Sequence, residues 1–297
     1  MYIIGVDIGG TNIKVGLIKE NNIVDKIVVP TNTFDLIKQI TSLIDSIIDK
    51  NHLEISNIRG IGVGCPGIVE NGIVVESANL QLKDIALQQL LEDNYKTNIV
   101  VKNDGEMATL GEYCVANDVD NMILLTIGTG VGGGIILNRK LFESNKGYGE
   151  LGHITLMYHG KECNCGRKGC LEQYVSYKAL LNLAKDKYRD TIPYDDLSAE
   201  MIYERYKRNE GFAVDIIEEY TDYLAEGLLD YCNIFRPDRI VIGGGISYVP
   251  EIINIVKNKC YLQNYGYKNS DKVEIVPAKL KNDAGIMGAR AVFDTLI

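Results

Sequence analysis

Three thiols, one imidazole and two carboxylates crowd into one short part of this chain. They lie in Gly149-Glu150-Leu151-Gly152-His153 and in Cys163-Asn164-Cys165-Gly166-Arg167-Lys168-Gly169-Cys170-Leu171-Glu172. His153, Cys163, Cys165 and Cys170 can supply the four ligands of a tetrahedral zinc ion, and Gly166 and Gly169 let the loop fold back around it. The plainer alternative is three packing cysteines beside a stray histidine. Three of the chain's seven cysteines fall between 163 and 170, however, in a polar, glycine-rich segment where apolar packing would be out of place. A Cys3His set leaves no open coordination position, so the ion would hold shape and would not activate water. Glu150 and Glu172 flank this clip, and His153 could keep one ring nitrogen for another partner. A rigid loop presenting two carboxylates and an imidazole suits a hydroxyl-rich ligand.

Two glycine turns carry the next chemistry. Asp7-Ile8-Gly9-Gly10-Thr11-Asn12 follows one apolar run, and Gly128-Thr129-Gly130-Val131-Gly132-Gly133-Gly134 follows another. Such turns expose backbone N–H groups to phosphate oxygens, Thr11 and Thr129 add hydroxyls, and Lys14 can reach in as a point charge. Either turn alone could simply be a hairpin tip that needs positive φ; the repetition is what points to phosphate. The second turn also fits G-x-G-x-x-G, but Ile135-Ile136-Leu137 resumes as strand where a dinucleotide site needs a helix, and no P-loop motif occurs. Asp7 is placed to hold magnesium through water, or else caps its turn. Gly243-Gly244-Gly245 would let a flat group such as adenine lie against backbone, or serves close strand-to-helix packing. Asn103-Asp104 offers a carboxylate to take a proton from a hydroxyl attacking phosphorus, with a carboxamide to orient it. The same pair is also an ordinary helix N-cap, and Asn79 could be a turn residue.

These groups need strands and helices to position them. Apolar runs at 2–8 and 13–17 predict a hairpin, with a third strand at 23–29. The stripe Leu36, Ile37, Ile40, Leu43, Ile44, Ile47 and Ile48 predicts a helix over 35–50 capped by Asn32 or Thr33. Strands follow at 58–63 and 99–102, a small hairpin at 67–75, and helices at 84–93 and 105–116. Asn103-Asp104 therefore sits at the carboxyl end of a strand, where open α/β sheets place ligands. Residues 122–137 repeat the opening hairpin, which suggests an internal duplication and two similar domains facing across a cleft. Helices are expected at 172–187, 197–208 and 212–234, a strand at 239–242, a helix to 260, a strand at 273–276 and a last helix from 283. No Ser/Gly linker separates the halves.

At 297 residues and 46% hydrophobic content the chain can fill two cores. Its 31 basic and 40 acidic residues give a net charge of −9, without a basic run for nucleic acid or an anionic membrane. The opening lacks a signal-peptide pattern, and no run of about 18 apolar residues occurs; the expectation is a cytoplasmic protein. Cys65, Cys114, Cys232 and Cys260 read as packing residues in a reducing compartment.

The pattern E-x-G-H followed by C-x-C-G-x-x-G-C-x-E resembles the ROK family of sugar kinases and sugar-responsive repressors, and the likeness runs along essentially the whole chain. Asp7-Ile8-Gly9-Gly10-Thr11 and Gly128-Thr129-Gly130-Val131-Gly132 look like the family's two phosphate motifs, and Gly62-Val63-Gly64-Cys65-Pro66-Gly67 like its turn at the sugar pocket. The resemblance implies a two-domain α/β fold of the actin-like (ribonuclease H-like) kind with an inter-domain cleft and a structural zinc loop at 153–170. The expected domains are 1–118 with 283–297, and 119–282. It implies sugar contacts from Asn79, Asn103, Asp104, Glu150, His153 and Glu172, with Asp104 as catalytic base. It further implies ATP and magnesium held by Asp7, Gly9, Gly10, Thr11, Asn12, Lys14, Gly128, Thr129, Gly130, Gly243, Gly244 and Gly245, and zinc held by His153, Cys163, Cys165 and Cys170.

The implied reaction is phosphorylation of the primary hydroxyl of a hexose, glucose first, by a homodimer or homotetramer. Glucokinases of the family often carry tryptophan shortly after Asn-Leu. Here Leu82 stands there and the chain contains no tryptophan, so mannose, fructose, allose and N-acetylmannosamine remain alternatives, as does a non-catalytic sugar-binding or sensing protein. A repressor is expected to need an N-terminal DNA-binding domain, for which the stretch before Asp7 leaves no room.

Overall fold

The computed structural model describes residues 1–116, 118–143, 149–188, 197–263 and 271–293, without the side chain of Ala78. The first apolar run forms β1 (Tyr2–Ile8) and returns after the glycine pair as β2 (Asn12–Lys19), with β3 (Asn22–Pro30) outside it. Asp7 faces Lys14 in the register of this hairpin. Two parallel strands, β4 (Ile58–Cys65) and β8 (Asn98–Asn103), complete a sheet of order β3-β2-β1-β4-β8. β4 is buried at all but one position, as a parallel strand covered on both faces should be, whereas the edge strand β3 alternates half-buried with exposed residues.

Helix α1 (Leu36–Lys50) buries Leu36, Ile40, Leu43, Ile44, Ile47 and Ile48 as its stripe predicts. Its N-cap is Asp35, not Asn32 or Thr33; Asn32 Oδ1 instead accepts the Phe34 N–H at 3.1 Å, closing a local turn before the helix. The small hairpin expected at 67–75 is a three-stranded sheet of β5 (Ile68–Glu70), β6 (Ile73–Ser77) and β7 (Leu82–Ile85), and α2 (Leu87–Tyr95) starts later than expected. β7 has apolar residues only at its ends and becomes a strand by pairing with β6, Leu82 opposite Ser77. Local propensity does not report such a pairing.

Helix α3 (Asp104–Val115) packs against the last helix, α9 (Ala284–Phe293), at backbone contact distance. A Cβ on Gly111 would stand 2.1 Å from the Ala284 carbonyl oxygen, and one on Gly288 2.0 Å from that of Met107. Glu112 of α3, 1% exposed, accepts the backbone N–H groups of Lys279 and Leu280 at 2.9 and 2.7 Å, tying the chain segment that leads into α9. Burial raises its carboxyl above the ordinary range against the opposing pull of those N–H donors.

A second sheet has the order β11-β10-β9-β12-β13, built from β9 (Met122–Ile127), β10 (Val131–Leu137), β11 (Lys140–Leu141), β12 (Arg239–Gly244) and β13 (Glu274–Pro277). Each sheet therefore has a glycine-tipped hairpin and a third strand on one side, and two later strands on the other. The helix expected over 172–187 is two, α4 (Glu172–Val175) and α5 (Tyr177–Tyr188); extended backbone at Ser176 separates them, and the Ser176 Oγ accepts the Ala179 N–H at 3.2 Å. α6 (Ala199–Lys207), α7 (Gly211–Phe235) and α8 (Pro250–Gln263) follow, the last after a 3-10 turn at Gly245–Tyr248.

Contacts divide the chain into two compact units, Met1–Leu124 with Gly133–Gly149 and Lys279–Ile297, and Leu125–Gly132 with Glu150–Ala278. The crossing falls within the β9–β10 hairpin, whereas the sequence suggested 118/119. No helix among the described residues is long and apolar enough to cross a membrane.

Gly288→Val should cost about 2–3 kcal/mol or more, because the clashing partner is the Met107 backbone and cannot swing aside. Gly211→Ala, whose added Cβ meets nothing within 4 Å, should be neutral or slightly stabilising. Urea midpoints of the two variants measure the difference.

Candidate functional site

Within the first unit, the end of β1 and the glycine turn place one group of candidates. Gly9 donates its N–H to the Asn12 carbonyl at 2.9 Å, and its own carbonyl accepts the Thr31 hydroxyl at 2.6 Å, while Gly10, Thr11 and Asn12 lie exposed. Asp7 Oδ2 and the Lys14 ammonium form an ion pair at 2.7 Å, and Lys14 also donates to the Asn282 carbonyl at 3.2 Å. Asn79 belongs beside this turn: its Cβ lies 3.9 Å from where a Cβ on Gly10 would stand.

The strand-to-helix junction places the second group in the same unit. Asn103 is the N-cap of α3, its Oδ1 accepting from Gly105 N–H at 2.8 Å and Glu106 N–H at 3.3 Å, with Glu106 returning a bond to the Asn103 N–H. Its Nδ2 donates to the Gly67 carbonyl at 2.8 Å. The capping alternative therefore holds, and the carboxamide keeps one further N–H donor for a ligand. Asp104 is the first residue of α3 and half-buried; its Oδ1 accepts the Gly105 N–H at 2.9 Å, and the helix N-terminus favours its negative charge. Burial, aided by the Asp104 charge, pushes the Cys65 thiol up to about 12, so Cys65 is a packing thiol and no nucleophile.

In the second unit the zinc ligand set converges. His153, Cys163, Cys165 and Cys170 each present a ligand atom, all within 4.8 Å of one another. Zn–S bonds of about 2.3 Å and Zn–N bonds of about 2.0 Å in a tetrahedron require edges of about 3.5–3.8 Å. The Cys165 and Cys170 sulfurs lie 3.6 Å apart, and the Cys163 sulfur lies 3.6 Å from His153 Nδ1. The donor set fits zinc, with Nδ1 turned to the sulfurs and Nε2 left over. Gly169 closes the loop at φ +76°, its Cβ position only 1.7 Å from the Met157 carbonyl oxygen. Arg167 holds the His153 carbonyl at 2.9 Å.

Glu172, directly after this loop, accepts the Val131 N–H at 2.9 Å, and its Oε2 fills the space a Cβ on Gly130 would need, 2.7 Å away. It joins the zinc segment to the second glycine turn. Burial raises the Glu150 carboxyl, with the His153 ring opposing and the Glu172 charge adding to the rise.

Beside the second turn lies a cavity of about 250 Å³ whose wall includes Gly128, Thr129, Tyr177, Tyr203 and Gly245. A Cβ on Gly128 or Gly245 would meet nothing within 4 Å, and neither needs positive φ, so the fold does not demand glycine at either place. Gly244 is different: at φ +80° its Cβ would stand 2.0 Å from the Ile127 carbonyl oxygen, the close packing that was the alternative for this cluster. Gly243 is buried in β12. Tyr177 and Tyr203 are pocket residues that sequence reasoning passed over, since tyrosines in helical stretches carry no motif.

Cys165→Ser should abolish stoichiometric zinc, read by elemental analysis of the purified protein, and lower the melting temperature. Retention of one zinc per chain would remove Cys165 from the ligand set.

The ROK family model matches residues 3–295. A glucokinase from Halalkalibacterium halodurans is 34% identical over 308 residues, covering 97% of this chain and 93% of that protein. A xylose repressor from Caldicellulosiruptor bescii is 27% identical, covering 98% of this chain and 77% of that protein. The crystal structure of a ROK family glucokinase from Streptomyces griseus in complex with glucose and AMPPNP superposes with a TM-score of 0.85 at 28% identity, covering 98% of this chain and 99% of that one. With a zinc loop of matching donors, two glycine turns and a family match over nearly its whole length, the chain belongs to the ROK family.

Proposed function

We propose that this protein is an ATP-dependent sugar kinase that transfers phosphate to the primary hydroxyl of a hexose, with glucose the first candidate. The observation that carries this is the Asn103-Asp104 junction. A half-buried carboxylate stands at a helix N-terminus beside a carboxamide anchored to Gly67, which suits a base that must take a proton from one oriented hydroxyl. A protein that only bound sugar would need neither that carboxylate nor two glycine turns.

Asp104 is assigned as the base, and Asn79, Asn103, Asp104, Glu150, His153 and Glu172 as sugar contacts, His153 through the Nε2 that zinc leaves over. The phosphates are assigned to the turns at Gly9-Gly10-Thr11-Asn12 and Gly128-Thr129-Gly130, and the base of the nucleotide to the cavity bordered by Gly245. Magnesium would be held through its water shell by Asp7, whose Oδ1 is free of the Lys14 contact. Stabilising the charge on the transferred phosphoryl group is the larger part of such catalysis, and Lys14, paired with Asp7 at the end of β1, is the cation assigned to it.

Kinship with both glucokinases and a glucokinase–glucose complex supports glucose. Leu82, where glucokinases often have tryptophan, keeps mannose, fructose, allose and N-acetylmannosamine on the test panel.

ADP release from Mg-ATP with each of these sugars, against a control without sugar, is expected to show sugar-dependent turnover that is strongest with glucose. Stronger turnover with another sugar reassigns the substrate, and none with any sugar overturns the kinase. Asp104→Asn should lower turnover by roughly 10²–10⁴-fold while sugar affinity, read by calorimetry, changes only slightly. Normal turnover in that variant would remove Asp104 as base.

A further inference from the structure

The cavity beside the second glycine turn is walled mainly by apolar and aromatic side chains, among them Leu180 and Ile246. The polar groups on this wall differ in what the fold asks of them. Tyr220 spends its hydroxyl on the Val175 carbonyl at 2.7 Å, and Tyr177 pins the turn by donating its backbone N–H to the Gly128 carbonyl at 2.8 Å. Glu200 and Tyr203 carry no such duty. They stand three residues apart on α6 and so face one side of it. Ser198 already caps this helix, accepting the Met201 N–H at 3.1 Å, so Glu200 is not needed there. Neither side chain has a hydrogen-bond or ion-pair partner among the described residues.

An ionised carboxylate only accepts hydrogen bonds, and a phenol can donate one. Burial and the Glu200 charge both hold the Tyr203 phenol in its protonated form. An acceptor on the exposed Glu200 next to a donor on Tyr203, on a wall whose other polar side chains are hydroxyls, matches the edge of a 6-aminopurine, whose amine donates and whose neighbouring ring nitrogen accepts. A 6-oxopurine in the same seat turns carbonyl lone pairs toward the carboxylate and leaves both unpaired, which is how a polar group excludes a close analogue. Gly128 and Gly245, glycines without a packing reason, leave the room for the ring.

We propose that Glu200, with Tyr203 beside it, reads the 6-amino group of the purine and makes this protein select 6-aminopurine over 6-oxopurine nucleotides. This rests on the assignment of the cavity to the nucleotide base.

The test compares ATP, ITP and purine riboside triphosphate, which has no group at position 6, as phosphate donors. In the unaltered protein KM should be about tenfold or more lower for ATP than for either analogue. Glu200→Ala should raise KM for ATP about tenfold and leave that for purine riboside triphosphate unchanged, because the only contact removed is to the amine. Glu200→Gln, whose amide can donate, should lower KM for ITP. Tyr203→Phe should weaken ATP and purine riboside triphosphate alike. Equal effects of the Glu200 changes on all three nucleotides, or none, would overturn the proposal.

Calorimetric binding of ADP and IDP separates this from the kinase assignment. A base preference lost in Glu200→Ala without any sugar phosphorylation would overturn the kinase and uphold base reading by Glu200. Phosphorylation with no base preference would do the reverse.

Discussion

The carboxamide of Asn103 is the constraint on which the first unit's chemistry depends. It ends β8, caps α3 with two accepted N–H bonds, and reaches across to the Gly67 carbonyl. A cap of this kind contributes about 1 kcal/mol to the helix, but its larger effect is geometric. With Asn103 held from strand, helix and turn, the next residue has little freedom, and Asp104 must project from the first turn of α3. The helix is fixed in turn from its far side, where Gly111 and Gly288 let α3 and α9 meet backbone to backbone and Glu112 anchors the segment leading into α9. In the proposed reaction, a carboxylate that must meet one hydroxyl benefits from being held at three sides in this way.

The second unit solves the same problem by a different means. Residues 154–169 have few apolar side chains to bury, and a loop of that composition has no core of its own to hold it. Three thiolates and an imidazole around one zinc ion would replace the missing core, and two of the ligand spacings, both 3.6 Å, match the edges of a zinc tetrahedron. Rigidity then passes outward from the metal site through its neighbours in sequence. Glu172, two residues after Cys170, reaches the Val131 N–H, so the end of the zinc loop and the second glycine turn are set together.

Much of this was legible before any coordinates. The zinc donors, the two glycine-tipped hairpins, the stripe of α1 and the Asn103-Asp104 junction each announce themselves through residue type and spacing, which are local signals. What escaped depended on which neighbours pair once the chain folds, which residue type alone does not report. β7 becomes a strand only because β6 lies beside it, and the α1 cap moved to Asp35 because Asn32 found a nearer donor. The break at Ser176 divided what its apolar spacing suggested was one helix. The ion pair of Lys14 with Asp7 likewise follows from the register of the hairpin, which sets the two opposite each other.

The glycines show how packing separates a scaffold from a site. At Gly67, Gly169, Gly244 and Gly288 an added Cβ runs into backbone oxygen, so the fold itself demands glycine there. In sequence these look no different from Gly128 and Gly245, which stand in equally glycine-rich stretches. Only the structure reveals that a Cβ at those two positions meets nothing within 4 Å among the described residues, and that both border the same cavity. What distinguishes them from Gly211, which is equally open, is that both lie on the wall of one cavity, where the missing side chains leave room. Glu200 and Tyr203, which have no hydrogen-bond or ion-pair partner among the described residues, border that cavity too, so the open glycines and the polar pair share one wall.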